Sequence, residues 1–414
     1  MIKIAIDHMP LSSNPLSAND FVSSCIYPFI MCPLFRYSNG KLEKLACKNI
    51  TIKGNTYYIE LNDNIRYNNG KYVTIEDYYE TFVKIMNSIT YPKYLIENIK
   101  KINLVNNKLI IVLKRKDLFF LHKLTYYSFS PFKDELNCGQ YYIDNISENS
   151  IILKRNEYFN LYTSIKEMTL KFNKYEKHED IKAFLNNEIQ VTNITTFPLE
   201  RVKELKPEIK ESNLMFVLKF SPNLMLKKYK KFRQYIASII DKNRINKKLN
   251  NMFIIKNDFC LNNDANININ YNVKKQKKLI CKQNIKLGYT DFYPNKIIAN
   301  TIKNQLTKND IDVELCQYNL CKPNDCDIYI DIIFSPFFYD EYFYLSKYFR
   351  IVNGQKYTKL CNKYEKMQKE KIYQNIIKIC YNNANIIPIL KSKYIYLYNK
   401  SAKGKKNKGN YYGK

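Results

Sequence analysis

TYYIELNDNIRYNNGKYVTIEDYYETF, residues 56–82, is the stretch from which the fold can be read. Tyr57, Ile59 and Leu61 alternate with Tyr58, Glu60 and Asn62, the period of a half-buried β-strand. Ile65-Arg66-Tyr67 and the turn Asn68-Asn69-Gly70 follow. Thr74 then stands as an N-cap, with Glu76 and Asp77 in the first turn where acids suit the helix dipole. Tyr78, Tyr79, Phe82, Ile85 and Met86 continue as a helical run. Strand, turn and capped helix make an α/β piece.

Outward from that piece, the chain has 414 residues, 45% of them hydrophobic, which is enough core for two or three domains. No apolar run approaches the roughly 20 residues that cross a bilayer. Val22-Ser23-Ser24-Cys25 has the form of a lipoprotein cleavage box. The residues before it include Asp7, His8, Pro10, Asn14 and Asp20, which no continuous apolar region tolerates, so no export signal is visible. The formal net charge is +29, with lysine along most of the chain and clusters at 227–231, 274–278 and the tail. Together with the abundance of Asn, Ile and Tyr, this reads first as genome composition on solvated faces. Nucleic-acid binding is the reading that charge alone suggests.

The 11 cysteines and three histidines show no zinc spacing: Cys316, Cys321 and Cys326 stand five apart. The odd count argues against a complete disulfide set, and Cys47, Cys260, Cys281 and Cys380 read as small apolar residues of a reduced protein. There is no G-x-S-x-G, HExxH, phosphate-binding loop or dinucleotide glycine motif. No catalytic constellation, metal site or cofactor is therefore expected.

In chain order, a short strand at Ile2–Ile6 precedes an apolar helix over Asp20–Phe35, interrupted by Pro28 and Pro33. Asn106-Asn107 marks a hairpin within Ile99–Leu113. Further strands are expected at Ser150–Phe159, Glu167–Phe172 and Met215–Phe220. Phe232, Ile236, Ile239 and Ile240 place one amphipathic helix over Lys231–Arg244. Asn250–Lys278 is a low-complexity loop. Ile285–Tyr289, Ile297–Lys308 and Ile311–Leu315 form strand, helix and strand, which implies a crossover and a parallel sheet. A long helix is expected over Tyr364–Cys380 and a last strand at Tyr394–Tyr398.

The order of these pieces resembles the family 5 solute-binding proteins, the oligopeptide- and dipeptide-binding receptors of ABC importers. The resemblance is carried by Leu61-x-x-x-Ile65-Arg66-Tyr67-x-x-Gly70-Lys71-x-Val73-Thr74-x-Glu76-Asp77, by Cys138-Gly139-Gln140-Tyr141-Tyr142 and by Arg155-Asn156-x-Tyr158. Lys231–Arg244 and ANIIPI at 384–389 extend it over nearly the whole chain. Two family glycines are replaced, by Asn187 and Asp310. What the resemblance implies is an α/β, two-lobed periplasmic-binding-protein-like fold of class II type with an extra inserted α+β domain. Lobe I would comprise residues 1–36, 134–218 and 386–400, the inserted domain II residues 37–133, lobe II residues 219–385, and 401–414 a disordered basic tail.

The resemblance also implies non-catalytic capture of a peptide or small organic ligand by lobe closure. The partners would be ABC permease subunits, with no specific nucleic acid and the membrane reached only through the transporter. A monomer at the cell surface or in the periplasm is expected. A cytoplasmic ligand sensor or degenerate paralogue with the same fold is the alternative, and a basic nucleic-acid-binding module the second. Peptide-binding members carry a Trp and then an Asp after the segment matching Cys326–Ile330. Here those positions fall on about Ile333 or Phe334 and Phe337 or Phe338, with Asp331 and Asp340 the nearest acids. The ligand-binding residues expected on this basis are Asn14, Asp331, Phe334, Phe337, Phe338 and Asp340.

Overall fold

The computed structural model describes residues 1–18, 20–38, 40–133, 136–161, 163–172, 179–193, 203–257, 259, 284–319, 325–335 and 342–399. The chain divides into a first unit, residues 1–194 with 397–414, and a second unit, residues 195–396.

In the first unit the elements run β1 (Ile2–Ala5), α1 (Phe21–Ile30), β2 (Phe35–Ser38), β3 (Lys41–Lys44), β4 (Cys47–Lys53) and β5 (Thr56–Leu61). Then come α2 (Ile75–Met86), α3 (Tyr91–Leu95), β6 (Ile99–Val105), β7 (Lys108–Leu113) and α4 (Phe120–Lys123). β8 (Tyr141–Ser147), β9 (Ser150–Arg155), β10 (Glu167–Lys171) and α5 (Glu179–Leu185) complete it. One four-stranded sheet has the order β1-β10-β9-β8, with β1 parallel to β10 and the other pairs antiparallel. A second, antiparallel throughout, has the order β4-β5-β7-β6.

The strand, turn and helix of 56–82 form as their residues demand. Tyr57 and Ile59 of β5 are buried, as are Leu109, Ile111 and Leu113 of β7. Against them α2 buries Ile75, Tyr78, Phe82 and Ile85, and Phe82 stacks on Phe129 at 5.3 Å between ring centres. The helix starts in a reciprocal capping box: the Asp77 N–H donates to Thr74 Oγ1 (3.4 Å) and the Thr74 N–H to Asp77 Oδ2 (2.9 Å). Burial works to raise the Asp77 pKa, but Lys133 and the Thr74 N–H hold the carboxyl below its usual range. The hairpin turn between β6 and β7 is left-handed at both Asn106 (φ 50°) and Asn107 (φ 56°), as a two-residue hairpin requires.

The signature residues converge on one another. Gly70 has φ 84°, and a Cβ there would meet the Tyr158 ring at 3.1 Å. Arg66 lies 3.9 Å from the centre of the Tyr72 ring, and its Nη1 donates to the Gly70 carbonyl (3.1 Å). Asn156 Nδ2 donates to the Gly139 carbonyl (3.1 Å). A Cβ at Gly139 would lie 2.5 Å from the Met31 nitrogen and 2.6 Å from the Phe29 oxygen, so the end of α1 abuts this position. Residues far apart in the chain thus lock one corner of the first unit, which makes them scaffold.

The second unit contains β11 (Glu208–Phe220), α6 (Lys230–Ile239), α7 (Lys242–Lys248), β12 (Ile254–Ile255), β13 (Asn284–Tyr289) and α8 (Asn295–Thr307). β14 (Asp312–Gln317), β15 (Ile328–Phe334), α9 (Tyr342–Met367), α10 (Glu370–Asn383) and β16 (Ile386–Tyr396) follow. They build a six-stranded sheet of order β12-β16-β11-β15-β13-β14. β13 is parallel to both β14 and β15, and the remaining pairs are antiparallel. The crossover β13-α8-β14 buries Ile298, Ile302 and Leu306 of α8. The chain enters this sheet on β11 and leaves on β16, which pair with each other from Glu208↔Tyr396 onward.

β11 and β16 both lie wholly in the second unit. Three element boundaries differ from the expected ones. The single helix over Lys231–Arg244 is two, because Asp241 caps α7, accepting from the Arg244 N–H at 2.9 Å. The helix over Tyr364–Cys380 is broken between α9 and α10 at Gln368, whose φ is 47°. The last strand begins at Ile386, earlier than Tyr394, and runs through Pro388.

Candidate ligand-binding site

The expected site residues are distributed between the units. Asn14 is in the first unit, exposed, with its Oδ1 accepting the Leu16 N–H at 2.9 Å. Its side chain therefore shapes the Asn14-Pro15-Leu16 turn, which is held down by Ser128 Oγ donating to the Pro15 carbonyl at 2.7 Å. Asp331 and Phe334 lie on β15 of the second unit. Asp331 pairs across the sheet with Val217, and its Oδ2 is 3.3 Å from Lys219 Nζ, so its charge is already matched. Phe334 is buried, its N–H donates to the Tyr348 hydroxyl at 3.2 Å, and Lys347 Nζ sits 4.0 Å from its ring centre. Phe337, Phe338 and Asp340 lie outside the described residues.

Sequence reasoning missed a cavity inside the first unit. It holds about 90 Å³, room for one side chain and far too little for a whole oligopeptide. α1 lines it with Phe21, Val22, Cys25, Ile26 and Phe29, β1 and the residue after it with Ile4, Ala5 and Ile6, and β10 with Met168 and Leu170. Two polar residues complete the lining, Asp7 and Asn193. The sequence placed Asp7 directly after an apolar strand, a cue that a carboxylate emerges at a strand end.

The polar edge is a connected network. Asn193 Nδ2 donates to Asp7 Oδ1, and the Asn193 N–H donates to Asp180 Oδ2 at 3.0 Å. Asp180, in the first turn of α5, is only 2% exposed. Burial pushes its pKa up to about 6, the negative charge of Asp7 adds to the rise, and backbone N–H groups oppose it. Burial likewise pushes the Cys25 thiol up to about 12. The parallel bridge between Ile4 and Val191 brings residue 193 beside the end of β1. The arrangement offers an apolar slot with a carboxylate at its edge. It offers no activated nucleophile, since a thiol so raised stays protonated at neutral pH. Among the described residues, no three His, Cys, Asp or Glu side chains cluster as metal ligands do, and no helix is long and apolar enough to cross a membrane.

A family model described as bacterial extracellular solute-binding proteins, family 5 (middle), matches residues 43–351. The chain belongs to this family. No curated protein matches this family 5 chain. Among solved structures it is similar to a periplasmic oligopeptide-binding protein of an ABC transporter from Borrelia burgdorferi, with TM-score 0.84 and 17% identity over 97% of this chain and 95% of that one. It is also similar to the ABC transporter-associated periplasmic binding protein DppA from Helicobacter pylori in complex with the peptide STSA, with TM-score 0.83 and 16% identity over 96% and 93%. A third is NikA from Staphylococcus aureus in complex with Ni(L-His)2, with TM-score 0.80 and 17% identity over 96% and 94%. The family 5 chain thus has the two-lobed periplasmic-binding fold in a mixed α/β architecture.

Proposed function

We propose that the protein is a non-catalytic receptor that captures a peptide or a related small organic solute for an ABC importer. The observation that carries this reading is the family match over residues 43–351, joined by near-full-length similarity to peptide-binding receptors. Capture by lobe closure needs shape and hydrogen bonds and no reacting group. The side-chain-sized slot of the first unit, with Asp7 at its edge, suits an apolar ligand group beside an amino group. Asp331, already matched by Lys219, is a weaker candidate for that anchor. The proposal extends to an extracytoplasmic location, permease subunits as partners, a monomeric state, and the division into lobe I, inserted domain and lobe II with ligand contacts from Asn14, Phe334, Phe337, Phe338 and Asp340.

The test is thermal denaturation with peptide pools, then single peptides, with nickel–histidine and nucleic acid as separate arms. A ligand that binds only the folded protein stabilises it by RT ln(1 + [L]/Kd), about 2.7 kcal/mol at a hundredfold excess over Kd. Stabilisation by peptides supports the proposal. Stabilisation only by nickel–histidine moves the ligand class. Salt-sensitive binding of DNA or RNA without any response to small ligands would replace the reading with the nucleic-acid alternative. Fractionation that finds the protein in the cytosol would favour an internal sensor over an importer receptor.

A further inference from the structure

Strand register sets two cysteines of the second unit side by side. β13 and β14 are parallel, with Gly288 the partner of Cys316. Registered neighbours in a sheet project to the same face, about 4.8 Å apart. The alternate residues of β13 and β14, Ile285 and Val313, are buried on the other face, so Gly288 and Cys316 share the face away from that core. On the far side of β13, Tyr329 of β15 is the partner of Gly288, and its hydroxyl accepts the Cys326 N–H at 2.9 Å. This contact folds Cys326 over the sheet. A Cβ at Gly288 would lie only 2.9 Å from Cys326 Sγ and 3.2 Å from its Cβ. The Cys326 thiol therefore occupies the space that a side chain at 288 would fill, next to Cys316. Both thiols are free. Cys316 is partly exposed and Cys326 is 2% exposed.

We propose that Cys316 and Cys326 are an oxidisable dithiol, closed to a disulfide by exchange with a small-molecule disulfide. The proposal does not depend on the ligand or on the receptor role. The partly exposed Cys316, as thiolate, attacks one sulfur of the reagent RSSR, forms a mixed disulfide and expels one RS⁻. Cys326 then gives its proton to solvent and its sulfur attacks Cys316 Sγ, expelling the second RS⁻. Two protein S–H bonds are replaced by one S–S bond, and the two electrons leave with RSSR as two RSH. Burial holds the Cys326 thiol up at about 11, so the closing step accelerates as pH rises. The bond would tie β14 to the start of β15 across β13, closing a short loop. Such a staple in a domain of this size raises Tm by roughly 5 °C.

The full-length protein is equilibrated with oxidised and reduced glutathione, its remaining thiols are alkylated, and its cysteine linkages are mapped by mass spectrometry without reduction. A Cys316–Cys326 linkage is expected in the wild type and in Cys321→Ser, the remaining cysteine nearby in sequence. Cys326→Ser should instead retain glutathione on Cys316, while Cys316→Ser should leave Cys326 unmodified. Gly288→Ala, which pushes a methyl group into the Cys326 sulfur, should lower the yield of the linkage in protein whose far-UV spectrum is unchanged. The proposal is overturned if both thiols remain fully alkylated under these conditions, or if Cys316 or Cys326 is found linked to another cysteine.

Discussion

Asp180→Asn isolates the energetic consequence of the buried carboxyl network in the first unit. Asp180 is almost fully buried and its folded pKa is about 6, against about 3.9 for an unfolded aspartate. Between these values the native state holds the proton more tightly than the unfolded state. Its contribution is therefore fully present below about pH 4 and is lost as pH rises through about 6. A difference of about two pKa units corresponds to roughly 2–3 kcal/mol. Asparagine removes the charge and keeps an oxygen to accept the Asn193 N–H. The variant should match the wild type at pH 4 and exceed it by roughly 2–3 kcal/mol at pH 7.5, a rise in Tm of roughly 5–10 °C for a unit of this size. Thermal melts of both proteins across pH 4–8 give the difference directly and cancel opposing groups such as Asp77, whose lowered pKa favours the folded state at higher pH. A variant less stable at pH 7.5, or a difference that does not change with pH, would refute the reasoning.

Three further perturbations separate scaffold from site. Gly139→Ala places a methyl group against the backbone of Phe29, Ile30 and Met31, where nothing flexible can yield, and should cost several kcal/mol, read as a large loss of Tm or of soluble protein. Asp331→Ala should leave peptide affinity within about twofold, whereas Asp7→Ala should weaken it about tenfold or more, the effect of losing a charged hydrogen bond of about 1.4 kcal/mol or more. Isothermal titration of the two variants with the best peptide ranks the carboxylates, and equal losses would remove Asp7 as the anchor.

Much of the local structure was legible because local chemistry decided it. Thr74 announced a helix N-cap, and Asn106-Asn107 a hairpin, and both formed. The two replaced glycines were also well placed: Asn187 and Asp310 have φ of 59° and 61°, the left-handed conformation that Asn and Asp tolerate better than other side chains. The break at Gln368 was not legible, since neither Gly nor Pro marks it and the helical periodicity runs through it. Nor was the state of Asp331 legible: its matching cation, Lys219, is 112 residues away on another strand.

The sequence by itself determined the family and the order of strands and helices, from Thr56–Phe82 outward. Caps, turns and periodicity act over a few residues, and their succession is distinctive even where identity to solved relatives is 16–17%. Only the tertiary structure decided what the polar residues do. It matched Asp331 with Lys219. It gathered Asp7, Asp180 and Asn193 at one slot, and set Cys326 over Gly288 beside Cys316. A side chain's charge state and reactivity follow from its neighbours and its distance from water, and those neighbours come from segments that the chain brings together only when it folds.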